Sequence, residues 1–190
     1  SCKPFPVLTV GILIMYYLII LLLLMPNPPA TLLYDFQSDS PPSDWRVQDD
    51  TVMGGVSQGR FTINADGHGE FSGHVSLENN GGFSSVRHPM AARDVSGYGK
   101  IVLRVKGDGK RYQLRVKSDR NERPSYVAYF ETTGDWQTVA IPFDQLRPTF
   151  RGRQLDLPNY PGRQMEQIGI LIGNKKPQDF RLLIDWVGVE

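Results

Sequence analysis

Cysteine is nearly missing from this chain of 190 residues, where Cys2 stands alone. A lone thiol excludes internal disulfides and any zinc site built from paired thiolates. Histidine is also scarce: His68, His74 and His88 are the only three. None is spaced from a serine, cysteine or carboxylate as a nucleophile or metal motif requires. Charge of one sign is not in excess, with 21 Lys and Arg against 20 Asp and Glu. A net charge of +1 offers no broad field for nucleic acid, so any partner is recognised locally. Long amphipathic patterns are absent too. Only Phe143–Leu146 and the stretch near Met165 suit helical turns, and neither lasts the ten or more residues of a typical helix. The glycines of Asn79-Asn80-Gly81-Gly82 lack the lysine and the strand–helix context of a phosphate cradle, so they read as a turn.

What the chain does contain begins with an uncharged apolar run, Val7–Met25, long enough to cross a bilayer as one helix. A cleaved signal peptide is the rival reading, but its apolar core is shorter and ends at a small-residue cleavage site. Lys3 before the run and Asp35 as the first charge after it put the N-terminus in the cytoplasm and the rest of the chain outside it. Pro26, Pro28 and Pro29 stop the helix and form a short spacer. Residues 1–30 are thus expected to be a single-pass membrane anchor, and residues 31–190 one folded domain.

Period-2 alternation recurs through that domain. In Lys100–Lys106, Ile101, Leu103 and Val105 share one face; after the turn Gly107–Lys110, Tyr112, Leu114 and Val116 do the same, which predicts a hairpin. Further strands are expected at Leu32–Gln37, Arg60–Asn64, Glu70–Ser76, Ser84–His88, Tyr126–Glu131, Gln137–Pro142, Ile168–Ile172 and Arg181–Val187. Phe143–Gln164 reads as an ordered loop packed by its own aromatics. About ten short strands without crossover helices predict an all-β, antiparallel, two-sheet jelly-roll sandwich.

The most informative segment is Asp49-Asp50-Thr51-Val52-Met53-Gly54-Gly55-Val56-Ser57. Adjacent carboxylates suggest cation binding or acid–base work. Alternation along a strand points them to opposite faces, however, and the structural reading is a pinned turn. Paired glycines there imply positive φ or close packing, with Asp50 and Ser57 suited to holding free amides. The segment resembles the D-x-V-M-G-G-x-S signature of the complex I intermediate-associated protein 30 family. The resemblance continues in order through Gly82–Arg87, Arg104–Gly109, Trp136 with Ile141-Pro142-Phe143, and Pro148–Gly152. It implies a galactose-binding-like jelly roll and an assembly factor or chaperone for respiratory complex I. It carries over no catalytic residue, metal or cofactor, so the expected activity is non-catalytic binding of a protein partner. The signature residues Asp49, Asp50, Val52, Met53, Gly54, Gly55 and Ser57 form one candidate feature.

A candidate binding face is drawn from the remaining residues. Arg87, Arg104, Arg115 and Lys117 are expected to form a basic strip on one sheet face, for an acidic partner or phospholipid headgroups. The alternative function is a carbohydrate-binding module at the cell envelope, with Tyr126, Tyr129, Trp136 and Tyr160 as stacking platforms beside Arg104 and Arg115.

Overall fold

The computed structural model describes residues 31–190, so the helix expected at Val7–Met25 and the spacer after it lie outside the described residues. Among the described residues no helix is long and apolar enough to cross a membrane. The strands are β1 (Thr31–Asp35), β2 (Arg46–Asp49), β3 (Gln58–Ile63), β4 (Gly69–Val75), β5 (Ser84–Asp94), β6 (Lys100–Lys106), β7 (Arg111–Lys117), β8 (Ser125–Glu131), β9 (Trp136–Pro142), β10 (Arg147–Phe150), β11 (Arg153–Gln154), β12 (Gln164–Ile172) and β13 (Gln178–Val189). One sheet has six strands in the order β3-β4-β13-β6-β9, with β1 also pairing β13; the other has seven, β11-β10-β8-β7-β12-β5-β2. Every pairing is antiparallel.

The alternation dictates how the layers meet. Ile101, Leu103 and Val105 of β6, with Phe71, Leu182 and Ile184, face inward from the six-stranded sheet. Tyr112, Leu114 and Val116 of β7, with Ile168, Ile170 and Ile172 of β12, face them from the seven-stranded sheet. All twelve are essentially without solvent contact. Burying such side chains contributes roughly 1.5–3 kcal/mol each. The sandwich forms because each strand offers one apolar row and two sheets cover each other's rows.

The hairpin expected across Gly107–Lys110 is not formed. Strand β6 pairs with β13 and β9, whereas β7 pairs with β12 and β8. Both edges of each strand are taken by other partners, so this turn carries the chain from one sheet to the other. Gly109 turns there with φ +76°. Met165 is not in a helical turn but fully buried in β12. Phe143–Gln145 does form a single 3-10 turn. The segment read as a loop holds a small hairpin, β10–β11, whose two central residues Arg151 (φ +49°) and Gly152 (φ +76°) make the left-handed turn that matches strand twist. The aromatic packing expected there is present, with Phe143 edge-on to Tyr160 at 5.2 Å.

Candidate functional site

Asp49 closes β2, and residues Asp50–Met53 wind one 3-10 turn that ends on Gly54 at φ +89°. Gly54 therefore needs its backbone freedom. Gly55 and Gly81 are glycine for space instead, because a Cβ at either would press into the Asp50 carboxylate. That carboxylate is fully buried. It accepts the Ser57 hydroxyl at 2.5 Å and the N–H groups of Gly82 at 2.6 Å, Ser57 at 3.0 Å and Phe83 at 3.2 Å. Burial alone would raise its pKa, but the bond from the Ser57 hydroxyl and those from the three amides prevail and hold it below the usual carboxylate range. Ser57 Oγ in turn accepts the Ser76 N–H at 3.0 Å. Asp49 accepts Ser84 Oγ at 2.5 Å and Gly59 N–H at 2.9 Å. Both carboxylates are thus engaged by internal donors, and the segment is a clamp joining the turn to the loop at residues 81–83. On its outer side Met53 is 61% exposed.

Met53, Gly82 and Phe83 form one rim of a groove of about 1230 Å³ that lies across the outer face of the seven-stranded sheet. Its floor comes from residues that alternate with the core rows: Gln113, Arg115 and Lys117 of β7, Val127 and Tyr129 of β8, Arg87 of β5 and Leu171 of β12. The β10–β11 hairpin supplies the opposite wall through Arg147, Thr149, Arg151 and Gln154. Six cations line the groove, Arg123 included, against one carboxylate, Asp144. Among the described residues, Arg87, Arg115 and Lys117 have no carboxylate within ion-pair distance. Burial first, and the neighbouring Arg87 second, push the Arg115 guanidinium down to about 10. The same two causes lower Lys117, and burial lowers Arg87.

The structure divides the remaining candidate residues. Arg104 and Trp136 sit on the six-stranded sheet, apart from Arg87, Arg115 and Lys117. There Arg104 pairs with Asp185 at 3.1 Å and lies over the Trp136 ring at 5.6 Å. They cannot belong to one strip, because β6 and β7 are in different sheets. Tyr126 points inward against Tyr160, with ring centres 5.2 Å apart, and Tyr160 is buried. Of the four aromatics only Tyr129 reaches the groove, where Arg111 covers its ring at 4.6 Å. The sequence reading missed Arg123, just before β8, and Arg147 and Arg151; the Arg151-Gly152 pair between Thr149-Phe150 and Arg153-Gln154 is the signal that marks the hairpin of the latter two.

Comparison with known proteins bears on both fold and family. A family 11 carbohydrate-binding module of Clostridium thermocellum superimposes with a TM-score of 0.60 at 17% identity, over 86% of this chain and 96% of that one. The family 11 module in complex with a mixed-linked tetrasaccharide gives 0.58 at 18%, over 84% and 94%. At such identities the likeness concerns the sandwich fold alone. Among curated proteins, the mitochondrial complex I intermediate-associated protein 30 of Mus musculus is 29% identical over 103 residues, covering 50% of this chain and 31% of its own length. The probable counterpart of Caenorhabditis elegans is 31% identical over 133 residues, covering 65% and 38%. The chain therefore spans about a third of the length of these relatives. The family model of complex I intermediate-associated protein 30 matches residues 34–184, nearly the whole sandwich, and this chain belongs to that family.

Proposed function

We propose that this chain is a non-catalytic binding protein, an assembly factor or chaperone-like scaffold for a membrane protein complex of the respiratory complex I type. The groove on the seven-stranded sheet is its recognition surface. The observation that carries this reading is the placement of the family's signature turn. Its polar residues are spent inside, clamping the rim, while Met53 is presented outward beside a groove of uncompensated cations. Such a surface suits a partner with an apolar contact and acidic complement. The mouse and worm relatives, named for association with complex I intermediates, support the same class of partner. The apolar run at residues 7–25 would confine the domain to the membrane and raise its effective concentration there.

Photo-crosslinkers placed at Met53 or Tyr129, followed by mass spectrometry of native membranes, test this directly. Respiratory subunits are expected from these positions and not from Trp136 on the opposite sheet. Equal capture from both sheets, or none from either, would defeat the groove as the recognition surface. Retention of the whole chain in membranes after alkaline carbonate washing tests the anchor, and release into the wash argues against it.

A carbohydrate-binding reading keeps one observation in its favour: the groove sits on the outer sheet face and carries the exposed Tyr129. Titration calorimetry with mixed-linked glucan oligosaccharides decides it, since absence of heat removes that reading.

A further inference from the structure

The pairing register places the groove's cations more sharply than its outline does. On β12, Gly169 stands opposite Arg87 of β5 on one side and Arg115 of β7 on the other. Arg115 is in turn opposite Val127, and Val127 opposite Arg147 of β10. One row across the sheet therefore reads Arg87, Gly169, Arg115, Val127, Arg147. Arg87 and Arg115 are two strand spacings apart, about 10 Å between backbones. Between them there is no side chain, and the Arg87 stem fills part of that space: its Cγ lies 3.3 Å from where a Gly169 Cβ would stand. Arg115 is steadied by donating from Nη1 to Gln113 Oε1 at 3.0 Å. Lys117 follows two residues along β7 on the same face, its ammonium held by the carbonyls of Arg120 and Glu122.

We infer that the notch between Arg87 and Arg115, floored by Gly169 and flanked by Lys117, binds a phosphoryl group. Two guanidinium forks that each engage two oxygens need at least three acceptor oxygens between them, which a phosphoryl group has and a carboxylate lacks. Three cations crowded without a carboxylate partner also match a dianion better than a monoanion. Burial first, and repulsion from Arg87 second, disfavour the charged forms of Arg115 and Lys117, and an entering anion would offset both. The group is carried either by a soluble phosphomonoester or by an anionic lipid headgroup. This inference rests on the groove being the recognition surface, but it fails separately: partner capture is read in membranes, and phosphate binding on the purified chain.

The test is titration calorimetry of the whole chain in detergent with inorganic phosphate at constant ionic strength. One saturable site is expected. R87Q and R115Q should each weaken it by roughly tenfold or more, since each removes a fork, and R104Q on the other sheet should leave it unchanged. Should R115Q fail to fold, R87K serves: lysine keeps the charge without the fork, and a loss of several-fold is expected. Displacement of phosphate by glycerol phosphate points to the soluble source, and displacement by phosphatidic acid in the micelles to the lipid. Absence of a saturable site, equal loss in R104Q, or stronger binding of polyglutamate than of phosphate would each overturn the inference.

Discussion

Asp50 is fully buried and its carboxyl is nevertheless held ionised, because four donors surround it. Removing it leaves Gly82, Phe83 and Ser57 with amides that have lost their acceptor. D50A is therefore expected to lower stability by about 3 kcal/mol, measured by urea denaturation. The pH dependence has a definite sign. The folded pKa lies below the unfolded one of about 3.9, so the contribution is present above about pH 4 and is lost as pH falls further. D50N should flatten that acid limb. The two glycines differ in kind at this site. G54A meets open space and costs only its left-handed backbone, about 1–2 kcal/mol. G55A drives a methyl into the Asp50 carboxylate, so it should be the more harmful of the pair in the same denaturation series.

At the level of elements, the turn at Gly107–Lys110 decides more than its length suggests. Asp108 accepts Lys110 Nζ at 2.7 Å, Tyr112 Oη at 3.0 Å and the Arg181 N–H at 2.9 Å, tying the inter-sheet crossing to β13. D108A is expected to cost about 2 kcal/mol in thermal or chemical unfolding, more than loss of an exposed ion pair would. That turn also shows where the sequence stops being legible. Alternation located Lys100–Lys106 and the strand after the turn, since side-chain period is local to a strand. It cannot tell a neighbour in the sheet from a partner across the core, because both bury the same row. Strand β2, at Arg46–Asp49, escaped notice because four residues with one apolar side chain give no period to read. The pinned Asp50–Ser57 turn was legible, as its chemistry is local. The groove was not. Arg87 and Arg115 are 28 positions apart in sequence and meet only through Gly169, which belongs to a third strand.

Across the whole molecule the near-zero net charge conceals a strong partition. Among the described residues the groove gathers six basic side chains against one acidic one, Asp144, so the rest of the described surface is net acidic. A dipolar surface of this kind orients an approaching partner, and its effect is screened over about 8–10 Å at ordinary salt. Capture of the crosslinked partner is accordingly expected to fall as salt rises from low to physiological strength, chiefly through slower association. Salt-independent capture would point to the apolar rim around Met53 as the main contact.

Strand β13 gives the fold a schedule. One of its edges takes β6, and the other is shared by β4 and β1. Before β13 is available, the six-stranded sheet is only two detached pairs, β3 with β4 and β6 with β9, and β1 has nothing to join. During synthesis these pieces wait on the ribosome with apolar rows uncovered, until residues as late as Val189 have emerged. Completion of the sandwich is therefore a late event in folding, and loss of β13 would leave half of the core without a lid.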